Sequence, residues 1–278
     1  MLIKTSDINK IKELFGKFNL PKSNSHKGQN GKILIIGGSS LFHAASLWAA
    51  EVCSHFVDMV HYSSTVENEK IFHELKKTFR NGIIVPQKDL EHYAKEDDVI
   101  LIGPGMMRDG VEGEYTRRVV SRLIDKYPEK KFVFDAGALQ MMDKEWLLKL
   151  KTPAIITPHK KEFEGLFGIF GDEKTVLEMA KKYRSVILLK KIQDIVSDGD
   201  VSYVVEGGNA GLTKGGTGDV LAGLTASFYS KNDALDSAIF ASTLLKLTSD
   251  RVFESSGYWY NISDIINELP KELKRMVL

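Results

Sequence analysis

The chain has 278 residues, 43% of them hydrophobic, and a formal net charge of +1. That is enough apolar material for one large α/β domain or two small ones. Interspersed acids and bases argue against a chain built mainly to hold nucleic acid or an anionic membrane, and a lone cysteine, Cys53, excludes an intramolecular disulfide and a thiolate zinc cluster.

The N-terminal stretch MLIKTSDINKIKELFGKF is charged throughout and lacks a signal-peptide core. No run reaches the ~18 apolar residues of a membrane span, so a soluble, cytoplasmic protein is expected. Ile8, Ile11, Leu14, Phe15 and Phe18 recur at helical spacing and predict an amphipathic helix over 6–18. Residues 19–30, polar and broken by Pro21 and Gly28, read as a connector. Residues 1–25 are therefore expected as an N-terminal helix and connector, with one domain over 26–278.

KILII at 32–36 closes on Gly37-Gly38-Ser39-Ser40, and an alanine-rich helix follows over 43–56. Strand, glycine turn and helix open a parallel α/β unit. The beat recurs, with strands predicted at 57–62, 82–85, 99–102, 131–134, 154–156 and 186–190. Helices at 67–79, 88–95, 112–127, 160–170 and 173–184 fall between them. A hairpin over 195–205 turns at Asp198-Gly199-Asp200, and helices over 234–253 and 262–274 close the chain. Gly37, Gly103, Asp135 and Thr157 end four strands and are expected to face one crevice, where open parallel sheets bind ligands. Cys53 lies in an apolar stretch and reads as a small buried hydrophobe.

The chain is organised around KGGTGDVLAGL at 214–224. Lys214 to Gly218 form a glycine-dense turn, and Val220 to Ala226 a buried helix. Such a turn leaves unpaired N–H groups at the positive end of the helix dipole, a ready phosphate site. Asp219 falls in the first helical turn, where a carboxylate either caps the helix or serves as a general base beside a bound phosphate.

Other motifs fail. Gly103-Pro104-Gly105 starts a dinucleotide fingerprint, but Arg108 occupies its third glycine position. No Lys-Ser/Thr pair follows Gly216 for a P-loop, and Lys77 stands where His73-Glu74 would need a zincin histidine. The seven histidines show no ligand spacing, and there is no GxSxG elbow.

With those residues in hand, the chain resembles the ADP/ATP-dependent NAD(P)H-hydrate dehydratases of the ribokinase-like superfamily. The resemblance runs from about His26 to about Phe253 through an ordered motif set: His26-Lys27-Gly28, KILIIGGSS, DVILIGPG, VFDAGAL, TPHKKEF, LLKKIQDIVSDG and GNAGLTKGGTGDVLAGL. It implies a ribokinase-like three-layer α/β/α sandwich with a mostly parallel central sheet. It also implies an activity: phosphorylation of the ring hydroxyl of NAD(P)HX by ADP or ATP with Mg²⁺, then loss of phosphate to restore NAD(P)H. In that scheme Asp219 is the base, and the amides of Gly216, Thr217 and Gly218 stabilise phosphoryl charge.

By the same resemblance, Lys190, Lys191, Ile192, Gln193, Asp194 and Gly218 fall on the nucleotide side. Ala45, Gly105, Met107, His159 and Asp219 fall on the hydrate side, and Glu162 holds the metal through water. The resemblance further implies a homotetramer with a small-molecule substrate and no nucleic-acid or membrane partner. From the residues alone, Lys190 is either a phosphate ligand or a lysine with a buried stem. His159 is either a substrate contact or a helix-start histidine.

The chain departs from the family pattern at Phe42, Ala44, Met107, Gly137, Lys191, Ala210 and Lys214. A superfamily kinase for a vitamin-precursor alcohol (hydroxymethylpyrimidine or hydroxyethylthiazole type) would use the same loop. A nucleotide-binding scaffold that no longer turns over is the third possibility.

Overall fold

Runs such as Ile33-Leu34-Ile35-Ile36 are apolar at every position, the mark of strands covered on both faces. In the computed structural model, which describes Met1 to Leu278, they lie in a single sheet. Its strands are β1 (Leu2–Lys4), β2 (Lys32–Ile36), β3 (Met59–Ser63), β4 (Gly82–Ile84), β5 (Val99–Ile102), β6 (Lys131–Phe134), β7 (Ile155–Ile156), β8 (Val186–Leu189), β9 (Asp194–Ser197) and β10 (Ser202–Glu206). The order is β1-β10-β9-β8-β7-β6-β5-β2-β3-β4. Only β9 runs against its neighbours β8 and β10, as a hairpin requires.

Eleven helices complete the chain. They are α1 (Ile8–Phe15), α2 (Ala44–Cys53), α3 (Val66–Leu75), α4 (Leu90–Glu96), α5 (Gly110–Lys126), α6 (Ala136–Met141), α7 (Lys160–Phe167), α8 (Glu173–Tyr183), α9 (Thr217–Tyr229), α10 (Ala234–Ser256) and α11 (Ile262–Val277). The two-residue period of a strand sorts the core. Ile33 and Ile35 pack with α1, α2, α9, α10 and α11, whereas Leu34 and Ile36 pack with α4 to α8. The result is the expected three-layer α/β/α sandwich. No helix is long and apolar enough to cross a membrane.

Helix α9 lies between α2 and α10 against β5 and β6. Every residue from Val220 to Tyr229 is buried. Gly223 is required here, since a Cβ would sit 2.4 Å from Val52 Cγ1. Cys53 is buried beside it, donating to the Gly223 carbonyl, and burial pushes its thiol up to about 12. It is inert packing, as expected.

Two elements depart from expectation. The predicted N-terminal helix is preceded by β1, which pairs in parallel with β10, so Leu2 to Lys4 join the sheet. The stretch after Asp135 forms helix α6, where no element was predicted. Adjacent β7, β6, β5 and β2 carry Thr157, Asp135, Gly103 and Gly37 to one rim of the sheet. The first turn of α9 meets that rim.

Candidate active site

The mouth of α9 is shaped by Gly216, its N-cap, at φ +100°. Only glycine takes that conformation without strain, and a Cβ there would lie 2.6 Å from the Trp48 ring. The amides of Gly216 and Gly218 donate to no backbone carbonyl, and the Thr217 amide makes a long 3.3 Å bond to Lys214 O. Two of the three amides expected at the anion site are thus uncommitted. Lys214 donates to Tyr258 O and lies 4.7 Å over the Tyr260 ring, so its charge serves the α10–α11 connection.

Asp219 makes no side-chain cap. Burial raises its carboxyl most, the Asp135 carboxylate adds to the rise, and Lys190 partly offsets both, leaving it at about 7. Lys190 follows β8, and its Nζ lies 2.7 Å from Asp135 Oδ1 with 18% of the side chain exposed. The same ammonium lies 3.4 Å from where a Cβ on Gly218 would stand, directly over the mouth of α9. Burial pulls the Lys190 ammonium down, but Asp135, Glu162 and Asp219 outweigh it and hold it above its ordinary value. Asp135 Oδ1 also accepts from Thr157 Oγ1 at 2.8 Å. The residue after it, Ala136, is held at φ +40°, a strained conformation for a side-chain-bearing residue.

Two flanks open from this centre. On one, a cavity of about 390 Å³ is lined by Leu41, Phe42, Ala45, Gly105, Met107 and Asp219, among others. Four residues expected on the hydrate side are therefore together. His159 lines a neighbouring cavity of about 720 Å³ instead. It caps α7, its Nδ1 accepting from the Glu162 amide at 3.1 Å while Glu162 Oε2 accepts from the His159 amide at 2.9 Å. Glu162 is 6% exposed and also accepts from Gln140 Nε2 at 2.9 Å. Gly137 leaves no room for any side chain: a Cβ would be 2.2 Å from Met106 O.

On the other flank, Lys191, Ile192 and Gln193 line a cavity of about 690 Å³ with Glu206, Gly207 and Gly208. Asp194 turns inward, accepting from the Lys191 amide at 2.8 Å and Ser242 Oγ at 2.7 Å. Lys246 was not anticipated. This buried lysine of α10 lies 3.5 Å from Asp194 Oδ2 and donates to Ile192 O at 2.8 Å and Gly207 O at 3.5 Å. It ties together the two loops that border this flank. Its only trace in the sequence is a cation inside the apolar run LLKL.

A family model described as NAD(P)H-hydrate dehydratase matches residues 33–271. The chain is 35% identical over 257 residues to a bifunctional NAD(P)H-hydrate repair enzyme of Methanocaldococcus jannaschii, covering 91% of this chain and 50% of that protein. It is 29% identical over 273 residues to an ADP-dependent (S)-NAD(P)H-hydrate dehydratase of Staphylococcus aureus, covering 95% of this chain and 97% of that one. The chain thus spans about half the length of the bifunctional relatives it matches. Its fold matches an ADP/ATP-dependent NAD(P)H-hydrate dehydratase of Bacillus subtilis co-crystallized with ATP/Mg²⁺, with a TM-score of 0.78, 22% identity and 97% of each chain covered.

Proposed function

This chain belongs to the NAD(P)H-hydrate dehydratase family, and from that membership we propose that it restores NADH or NADPH from the hydrated cofactor at the expense of ADP or ATP. The observation that carries the reading is Asp219: a carboxylate at about 7, in the first turn of α9, lining a cavity and close enough to the Lys190 ammonium to feel its charge. A base is most effective when its pKa lies near the working pH.

Hydroxide is a poor leaving group, whereas a phosphate ester leaves readily. Asp219 takes the proton of the ring hydroxyl as that oxygen attacks the terminal phosphoryl group. The bond to the bridging phosphoanhydride oxygen breaks, and shortened nucleotide departs. Free amides of Gly216 and Gly218 and the Lys190 ammonium stabilise charge on the transferring group. Electrons of the ring nitrogen then expel the phosphate, the neighbouring carbon loses a proton, and the reduced nicotinamide is restored. Leu41, Phe42 and Met107 give the ring an apolar wall to pack on.

Magnesium fits as an ion arriving with the nucleotide, since it usually takes one or two carboxylates and keeps several waters. Asp135 and Glu162 are close enough to shift both Lys190 and Asp219, and Glu162 would hold the ion through water. When bound it neutralises phosphate charge. We place the protein in the cytoplasm as a homotetramer, with Lys191 to Gln193 on the nucleotide side and Asp194 shaping that loop from beneath.

The test is recovery of reduced-nicotinamide absorbance from the hydrate with ADP or ATP and magnesium. Full recovery by the native protein and none by D219N is expected. A stable phosphorylated ring as the end product would instead make the chain a kinase, and no turnover with either nucleotide would refute the reading.

A further inference from the structure

The cavity that holds Asp219 measures about 390 Å³, enough for the hydrated ring and its ribose, and too small for a whole dinucleotide. The rest of the substrate must leave it. Arg108 and Gln140 line both this cavity and the one of about 720 Å³ beside it. Their side chains meet at the boundary, Arg108 Nη1 donating to Gln140 Oε1 at 3.5 Å, so the two cavities adjoin over α6, between α5 and α7, across one exposed side-chain contact. A substrate threaded from Asp219 therefore lays its adenosine half in the second cavity.

That second cavity is cationic. Arg108, Arg117, Lys144 and Lys161 face it, against the carboxylates of Asp143 and Glu162. Glu162 accepts from Gln140 and from the His159 amide, neutral donors that leave its charge in place, so the four cations face two carboxylates. Asp143 accepts from the Glu145 amide at 3.3 Å and is held below its ordinary value, first by its bonds to Glu145, with Arg117 and Lys144 adding to the effect. Arg117 is pre-set: its Nη1 donates to Met141 O at 2.9 Å, and its guanidinium lies 4.9 Å over the Trp146 ring. A guanidinium fixed in this way loses little freedom when it meets a phosphate.

We propose that this cavity binds the adenosine half of the hydrate and selects the form that carries a 2′-phosphate, so that NADPHX is the preferred substrate over NADHX. The proposal rests on the dehydratase reading. Both hydrates carry the diphosphate, which Arg108 meets at the junction of the two cavities. Only NADPHX adds a further phosphate monoester, with a charge of about −1.5 to −2 at neutral pH, for Arg117, Lys144 and Lys161. NADHX leaves those cations facing water. Arg108, Arg117 and Lys161 are exposed and Lys144 half-buried, so salt screens them over a Debye length of ~8 Å at physiological strength; the preference is set at about tenfold and weakens as salt rises.

The experiment uses the native protein and K144Q/K161Q, which leaves Arg117 and the cap of α7 intact. Binding of NADPH and NADH, the two products, is followed by nicotinamide fluorescence at low and high salt. kcat/KM is measured on both hydrates alongside. The native protein is expected to bind NADPH about tenfold more tightly than NADH and to favour NADPHX by a similar ratio. In the variant that ratio falls below about threefold, while NADH binding changes less than about twofold. Equal binding of the two products by native protein overturns the proposal, as does an equal loss for both in the variant. Turnover of both hydrates at one kcat/KM would overturn it and leave the dehydratase reading standing. Absence of turnover with the NADPH preference intact, and lost in the variant, would sink the dehydratase reading and leave the phosphate site standing.

Discussion

Asp219→Asn should abolish catalysis while making the protein more stable, and the second effect follows from the site's electrostatics. The carboxyl rises from 3.8 to about 7 in the fold, because of burial and then the neighbouring Asp135 carboxylate. The folded state therefore holds its proton more tightly than the unfolded chain between those values, and stability drains away as pH climbs through that window. Each unit is worth ~1.36 kcal/mol, so full ionisation costs the fold up to about 4 kcal/mol, reduced to about 2 kcal/mol by the side chain's partial exposure.

Asparagine has the same shape and no charge. Near pH 8 the variant should unfold roughly 4 °C higher than the native protein, given the ~2 °C per kcal/mol of a chain this long. Near pH 5 most of the gap should close, since only the first part of the window has been crossed. Turnover should fall by at least ~10²-fold, as for loss of a positioned base. Thermal melts of both proteins at the two pH values, with cofactor recovery on the same samples, read out both effects. A variant less stable than the native protein near pH 8, or one with undiminished turnover, would refute the reasoning.

The ionised form of Asp219 is the active one, so kcat/KM should rise with pH through about 7 and level off above it; a flat pH profile would contradict this. Lys190→Met removes the cation that partly offsets the rise at Asp219. It should shift that limb to higher pH as well as lower the plateau, which a pH series on the variant checks. Lys246→Met unties the loops at Ile192 and Gly207. Its KM for the nucleotide should rise about tenfold with little change in kcat, because lost loop order weakens binding more than chemistry. Gly137→Ala would drive a methyl against Met106 O, 2.2 Å away. It should cost roughly 1–3 kcal/mol in a melt, as overpacking does.

The most legible parts of the chain were those where chemistry and backbone geometry demand one residue type. Gly216 at φ +100° and Asp219 in the first turn of α9 were readable as a glycine turn opening a helix. Strand ends at Gly103, Asp135 and Thr157 were readable because apolar runs stop there. Side-chain direction was not readable. Asp194 and Gln193 are neighbours in sequence, yet one turns into the protein and the other lines a cavity. His159 and Glu162 form a capping box, a pattern normally announced by Ser or Thr at the cap. Strand β1 escaped because three residues with a lysine among them carry no period, and its partner β10 lies about two hundred residues away. Helix α6 begins at strained Ala136 and is too short for periodicity to show. Lys246 had no local signal to separate it from a surface lysine. Its meaning comes only from the loops that α10 approaches.

The central claim is that the ring hydroxyl oxygen becomes part of a phosphate ester before it leaves. Hydrate labelled with heavy oxygen at that hydroxyl, incubated with protein, nucleotide and magnesium, tests this through the mass of the released inorganic phosphate. Recovery of the label in phosphate, in step with reduced cofactor, is the predicted result. Label appearing in water while cofactor is restored would mean that the hydroxyl departs without ever bonding to phosphorus, and that Asp219 has another task.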